Sequence, residues 1–383
     1  MPPSTQPADA RTRVLVSAPG HMLGGQARAA RAIVEGFRNH PQVEVELQPI
    51  DPRLGPPFTF LTELKFVRTL VRPVLSFAGL QRRGRYADVI HVFCAAHFAF
   101  VVGALPAVLA AWICRKPVLL NYHDGRAREH LRWWGPLVRW AARRAAVVVF
   151  PSQFLRDVFA GHGIAGEVVP NVVDTSAFQY RPPDPVSPRM VSARLLEPLY
   201  GIDNTIRAFA LVRAAQPTAT LDIFGGGSQR QRLEALVRQL GLAGVRFHGE
   251  LPYDRMPAVL GAGGILVNSS RVDNMPHILL EAFAAGLPIV TTAPGGIPYM
   301  VEHERTALVV PADDPAAMAG AVLRLCREPL VARRLAAAGR REIERYSWDE
   351  AARGWLRLYL GTARRAAQPT APGTVAPRLE EAG

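Results

Sequence analysis

Lysine is almost missing from this sequence. Of 45 basic residues only Lys65 and Lys116 are lysines, and none follows position 116. The second half therefore offers no amine for a Schiff base with pyridoxal phosphate. Cysteine is nearly as scarce: Cys94, Cys114 and Cys326 have no metal-ligand spacing and make no even-numbered framework. That excludes a disulfide-stapled scaffold and points to a reducing cytoplasm, with the three thiols in the core. Acidic residues are short by 13 against basic ones, and the deficit is uneven. Residues 1–180 carry 21 basic and 12 acidic side chains, a balance of +9, while the remainder stands at +4. The first half is the one expected to meet an anionic surface or substrate.

Long hydrophobic runs are also lacking. The longest, FAFVVGALPAVLAAWIC from Phe98 to Cys114, contains Gly103 and Pro106 and is short for a membrane span. It reads as a buried helix. The opening MPPSTQPADARTR has no apolar core, so no secretory signal is expected.

What is present is a regular alternation. Short β-branched runs (RVLVSA, VEVELQ, DVIHVF, PVLLNY, AVVVFPS, EVVPN, then RMVSAR, ATLDIF, VRFHG, GILVNSS, PIVTTA, TALVVP) are separated by longer helical patterns. Near-continuous apolar strands between helices imply parallel sheets covered on both faces. Two such series predict an α/β protein of two doubly wound domains. Pro182, Pro183, Pro185 and Pro188 mark a stiff linker between them. The expected organisation is a flexible N-terminus (1–11), an N-terminal domain (12–177), a linker (178–188) and a C-terminal domain (189–348). A final helix (349–367) is expected to pack back toward the N-terminal domain, followed by a disordered tail (368–383).

In such sheets ligands gather at the carboxyl ends of the strands. Gly24 and Gly25 open a helix after the first strand, where bare N–H groups face the cleft. His123 and Asp124 end the fourth strand. The helix after them interleaves Arg126, Arg128, Arg132, Arg139, Arg143 and Arg144 with Trp133, Trp134 and Trp140, a pattern suited to an anionic membrane surface. In the second half Arg194 ends one strand and Gly225, Gly226 and Gly227 the next. Phe247, His248 and Gly249 offer a flat surface and backbone groups to a base, and Gly295 and Gly296 form a further turn. A short helix beginning at Pro276 and stopped by Gly286 holds Glu281 in an otherwise apolar face, with Asp273 just ahead. A carboxylate buried there needs a partner.

PSQFLRDVF, VVPNVVDTSAF, SARLLEP, IFGGGS, RFHGEL, SRVDNMPHILLEAFAAGLPIVTT and GGIPYMV, in this order, resemble the GT-B retaining glycosyltransferases of family 4, over roughly Arg13 to Leu360. The resemblance implies GT-B architecture, two Rossmann-like domains facing each other across a cleft. It also implies sugar transfer from a nucleotide-sugar (a UDP-, GDP- or ADP-sugar) with retention, with no cofactor and no required metal.

By that resemblance Glu281 holds the donor ribose and Asp273 the transferred sugar, while Asn274, Met275 and Pro276 contribute backbone groups. Arg194 neutralises the diphosphate, Gly24 and Gly25 close over it, and His123 lies near the sugar. The implied catalytic residues are Asp273, His123 and Arg194. The acceptor is a glycan, a lipid-linked or a small-molecule hydroxyl; no nucleic-acid partner is expected. The implied location is the cytoplasm, peripheral at the inner membrane face.

Three departures stand out. Asp273 replaces the commoner glutamate, Tyr299 stands where the family has an acid, and Tyr200 precedes Gly201 where the family has a lysine on the diphosphate. Arg271 and Arg230 are the candidates to replace that charge. The alternative reading is a binding scaffold with a degenerate site.

Overall fold

The computed structural model of the protein describes residues 11–20, 25–52, 54, 64–183 and 186–368. Apart from Arg11 and Gln368, the expected flexible N-terminus and tail lie outside the described residues, as does Gly24.

Each of the twelve apolar runs forms a strand. The first domain contains β1 (Thr12–Ala18), α1 (Gly25–Gly36), β2 (Val43–Pro49), α2 (Lys65–Gly84), β3 (Val89–Cys94), α3 (Leu105–Ile113), β4 (Val118–Tyr122), α4 (Ala127–Ala142), β5 (Val147–Phe150), α5 (Gln153–Ala160) and β6 (Glu167–Val168). Its sheet runs β2-β1-β3-β4-β5-β6, all parallel.

The second contains β7 (Arg189–Ala193), α6 (Ile202–Ala215), β8 (Thr220–Phe224), α7 (Arg230–Gln239), β9 (Val245–Gly249), α8 (Met256–Gly261), β10 (Ile265–Asn268), α9 (His277–Ala285), β11 (Ile289–Thr291), β12 (Leu308–Val309), α10 (Pro315–Arg327) and α11 (Pro329–Glu342). Its order is β12-β11-β10-β7-β8-β9, also parallel. Strand order reverses between β1 and β3 in one sheet and between β7 and β10 in the other. These are the switch points at which doubly wound sheets open a ligand crevice.

The strands at these points are mostly apolar because both faces are covered, with His91 in β3 and Asn268 at the end of β10 as buried polar exceptions. Every residue of β3 and of β10 is buried. The last helix, α12 (Trp348–Ala367), is capped by Ser347, which accepts from the Glu350 N–H. It joins the core of the first domain: Trp355, Leu358 and Tyr359 pack with Val14, Val89 and Phe93. Inside that core Tyr359 Oη lies 2.9 Å from His91 Nδ1, and Asn121 Nδ2 lies 3.0 Å from His91 Nε2. Gly36 leaves room for the Trp348 ring, which would lie 2.0 Å from a Cβ there.

The run Phe98–Cys114, expected as one buried helix, is a π-helical turn (Phe100–Ala104) leading into α3. Its inner face is buried through Phe100, Ala104, Ala107, Val108 and Ala111, but Trp112 is 64% exposed and Ile113 also faces out. Together with α2 and α4 it walls an apolar groove of about 620 Å³ through Phe77, Leu105, Leu109, Leu137 and Trp140. On α4, Trp133 is exposed whereas Trp134 packs inward. No described helix is long and apolar enough to cross a membrane.

Candidate functional site

Loops from both switch points meet around one cavity of about 400 Å³ between the domains. The β10–α9 segment forms much of its floor. Ser270 Oγ donates to Asp273 Oδ2 at 3.0 Å, the Asn274 N–H donates to Oδ1 at 3.0 Å, and the Arg194 guanidinium completes the set. Asp273 is only 9% exposed, and these three donors meet its carboxylate from within the protein. Arg194 leaves the end of β7, and its guanidinium lies 4.1 Å from the centre of the Tyr200 ring. Glu281 and Arg194 thus line the same cavity from the second domain, with His123, Gly25 and Arg126 facing them from the first.

The site depends on close approach of backbones. A Cβ on Gly125 would lie 3.0 Å from the Asp273 carbonyl carbon, and one on Gly295, whose φ is 59°, would lie 2.1 Å from Asp273 O. Gly296 similarly abuts Asn274 O. Asn274 Oδ1 accepts from Ser152 Oγ of the first domain, and Ser152 also caps α5. Gly295 and Gly296 therefore hold the acid loop in place and are not among the cavity-lining residues.

α9 is buried along its whole length and apolar but for His277 at its start and Glu281. Glu281, 1% exposed, is its one acid. Its partner is Arg28, which reaches from α1 across the cleft to form an ion pair. Burial raises the Glu281 carboxyl above its ordinary range, against the opposing pull of Arg28. The Arg28 guanidinium also lies over the Tyr253 ring at 4.2 Å. Pro276 sits just ahead of α9 as its N-cap, not in its first turn, and Gly286 stops the helix at φ 80°.

His123 is brought to the cavity, and burial depresses its ring to about 3, so it is neutral. Gln26 fixes the segment by donating to the Cys94 and His123 carbonyls, each at 3.2 Å. Asp124 lines the cavity but is engaged with the N–H groups of Ala96 and Arg126.

Of the remaining expected residues, Gly25, Gly225, Gly226, Asn274, Met275 and Pro276 line the cavity. Phe247, His248, Gly249 and Gly227 are not among its lining residues. His248 Nε2 is bound to Asp222 at 2.8 Å and its ring stacks on Phe224 at 4.3 Å, which turns it away. Gly227 packs against Leu196: a Cβ there would meet the Leu196 carbonyl at 2.5 Å.

Neither expected substitute for the lysine reaches the cavity. Arg271 is tied to Asp203 at 2.9 Å and Asp313 at 2.7 Å, and Arg230 to Glu234 at 2.8 Å. Tyr299 bridges the domains instead, donating to Asp157 Oδ2 at 3.2 Å. Among the described residues no group of His, Cys, Asp and Glu is arranged to hold a metal. Arg28, Arg126, Tyr200 and His277 line the cavity without having been singled out for it in the sequence. Arg28 and His277 carried a signal: they sit four residues from Gly24 and from Glu281, on faces that point into the cleft.

Two Rossmann-like domains with their switch points opposed across a cleft define the GT-B fold. Residues 178–342 match the family described as Glycosyl transferases group 1, and residues 23–177 match Glycosyltransferase Family 4. The chain belongs to the group 1 glycosyltransferases and is a transferase of sugars. It is similar to the glycogen synthase of Mycobacterium tuberculosis, 28% identical over 298 residues, covering 74% of this chain and 70% of that protein. It is also similar to the GDP-mannose-dependent alpha-(1-6)-phosphatidylinositol monomannoside mannosyltransferase of the same species. There the identity is 30% over 243 residues, covering 56% of this chain and 62% of that one. In fold it resembles Anabaena HepE, solved in complex with UDP and glucose, with a TM-score of 0.70, 18% identity, and coverage of 92% and 100%.

Proposed function

We propose that the protein moves a sugar from a nucleoside-diphosphate sugar to an acceptor hydroxyl with retention at the anomeric carbon and without a metal. The observation that carries this reading is the convergence of Asp273, Arg194 and Glu281 on one interdomain cavity. Glu281 takes the ribose hydroxyls, which satisfy a buried carboxylate alongside or in place of Arg28. Asp273 faces the transferred sugar. In the transfer, the bond from C1 to the phosphate oxygen breaks and a bond from C1 to the acceptor oxygen forms on the same face. The acceptor proton passes to the departing phosphate oxygen.

Negative charge then grows on the diphosphate, where Arg194 and the N-terminal end of α9 stabilise it, so the reading needs no divalent cation. The Asp273 carboxylate stabilises the cation-like sugar. Neutral His123 accepts or donates one hydrogen bond to a sugar hydroxyl. The UDP of HepE and the GDP-mannose of the mycobacterial relative support a nucleotide-sugar donor.

For the acceptor we favour a lipid-linked hydroxyl at an anionic membrane face on the cytoplasmic side. The apolar groove of the first domain and the arginines beside it on α4 support this. Incubation with UDP-, GDP- and ADP-sugars, glycan and lipid-linked acceptors and excess chelator tests the reading. Released nucleotide and a product of unchanged anomeric configuration are expected. Donor binding without turnover across the panel would favour the scaffold alternative.

A further inference from the structure

His277 has no hydrogen-bond partner among the described residues. It is 8% exposed, lies in the first turn of α9, and lines the cavity. Both ring nitrogens are shut off from solvent, and neither finds a hydrogen-bond partner among the described residues. A buried polar ring left this way forfeits the desolvation of two groups, so its acceptor is to be sought in a ligand.

Its position says which part of the ligand. His277 precedes Glu281 by four residues, hence one turn along the same helix face. It follows Asp273 by four. With ribose on Glu281 and sugar on Asp273, the diphosphate that joins them crosses between, at the N-terminal end of α9. We propose that His277 is a donor-binding residue whose ring N–H is given to an oxygen of the outer, sugar-bearing phosphate of the bound diphosphate, in a site that lacks the family's lysine. This rests on the function proposed above.

The surroundings agree. Burial, then the nearby charge of Arg28, keeps the ring neutral, so it acts as a hydrogen-bond donor and not as a cation. A Cβ on Gly25 would lie 3.6 Å from His277 Cδ2, so the start of α1 rests on the ring edge. Gly25 belongs to the first domain and His277 to the second. The ring therefore lies at the boundary between the domains, where a diphosphate crossing the start of α9 gives its N–H an acceptor.

Calorimetric titration with UDP, GDP and ADP and with the matching monophosphates tests this in wild type, His277→Ala, His277→Asn and Glu281→Ala. Loss of one hydrogen bond to a charged group predicts a roughly tenfold fall in diphosphate affinity for His277→Ala. Monophosphate affinity should stay within about twofold, since that ligand lacks the outer phosphate. His277→Asn, which keeps an N–H donor of similar reach, should recover about half of the loss on a logarithmic scale, and it serves as the test if the alanine variant does not fold.

Equal losses for diphosphate and monophosphate, or no loss, would overturn the assignment. If wild type binds none of the three diphosphates, the proposed function itself fails; if Glu281→Ala weakens binding and His277→Ala does not, only the role of His277 fails.

Discussion

Arg28 of α1 and Glu281 of α9 form an ion pair across the cleft, so the carboxylate proposed for the donor ribose is engaged by the opposite domain. In the proposed function the ribose hydroxyls join or replace that partner. Burial raises the Glu281 carboxyl, and ribose hydroxyls can stabilise it without a cation.

Removing the carboxylate should therefore weaken donor binding. Glu281→Ala is expected to lower nucleoside diphosphate affinity by roughly ten- to a hundredfold, the loss of one or two hydrogen bonds to a charged group. The raised carboxyl also gives a pH sign. As pH falls, Glu281 protonates above the ordinary glutamate range, so affinity should start to fall at a pH where exposed glutamates are still ionised. Titration calorimetry across pH should show this in wild type and not in Glu281→Gln; a pH-independent wild type would contradict it.

Asp273 makes a different prediction. It is engaged by Arg194, Ser270 and its own loop, and in the proposed function it faces the sugar, not the nucleoside. Asp273→Asn keeps the shape and removes the charge that steadies the sugar cation. kcat should fall by roughly a hundredfold, a few kcal/mol of electrostatic stabilisation, while affinity for the free nucleoside diphosphate changes little. Parallel losses in both would assign Asp273 to binding alone.

Tyr200 occupies the lysine position and supports Arg194 with its ring at 4.1 Å. If the ring is what matters, Tyr200→Phe should keep turnover within about twofold and Tyr200→Ala should lose roughly tenfold, the worth of a partly buried cation–π contact. The reverse order of effects would instead place the hydroxyl on the ligand.

Much of this arrangement was legible in the sequence because it is local. Twelve apolar runs gave twelve strands, and Gly286 marked the stop of α9. Glu281 stood out because a charge in an apolar helix demands a partner, and Asp273 because it stands just ahead of that helix. What stayed hidden depends on distance in space. The choice of Arg28 as that partner joins residues 253 apart. His248 looked available until Asp222 claimed it, and Arg271 looked free until two acids on other segments did. Trp133 and Trp134, adjacent in sequence, face opposite ways because a helix turns by 100° per residue.

Four histidines depressed by burial predict acid sensitivity. Burial lowers His91 and His123 to about 3 and His130 to about 4, and places His277 well below its ordinary value, whereas all four titrate near 6.5 when unfolded. Between those values the unfolded chain binds protons that the folded one refuses. The stabilisation is therefore fully present above about 6.5 and is lost as pH falls, at up to ~1.4 kcal/mol per pH unit for each ring. Melting temperature should drop steadily from pH 7 to pH 5, and His91→Gln should lessen the slope. A flat profile over that range would mean these rings gain protons without unfolding.

The outer face of the first domain gives the last prediction. Trp112 and Ile113 stand exposed at the end of α3, Trp140 lines the apolar groove, and the Arg144 guanidinium lies 4.1 Å from the Trp140 ring centre. Aromatic rings with arginines beside them suit the boundary between headgroups and acyl chains, where the apolar part is buried and each cation adds about 1 kcal/mol near an anionic surface. Co-sedimentation with phosphatidylglycerol vesicles should therefore have two separable parts. Salt should weaken the part carried by Arg139, Arg143 and Arg144, because exposed charges are screened over about 8–10 Å. Replacing Trp112 and Trp140 by Ala should remove the part that survives salt, while turnover of a soluble short-chain acceptor is retained, since these rings lie outside the cleft. Equal binding by the double variant would remove the groove from the membrane contact and leave the acceptor to be sought in the cleft alone.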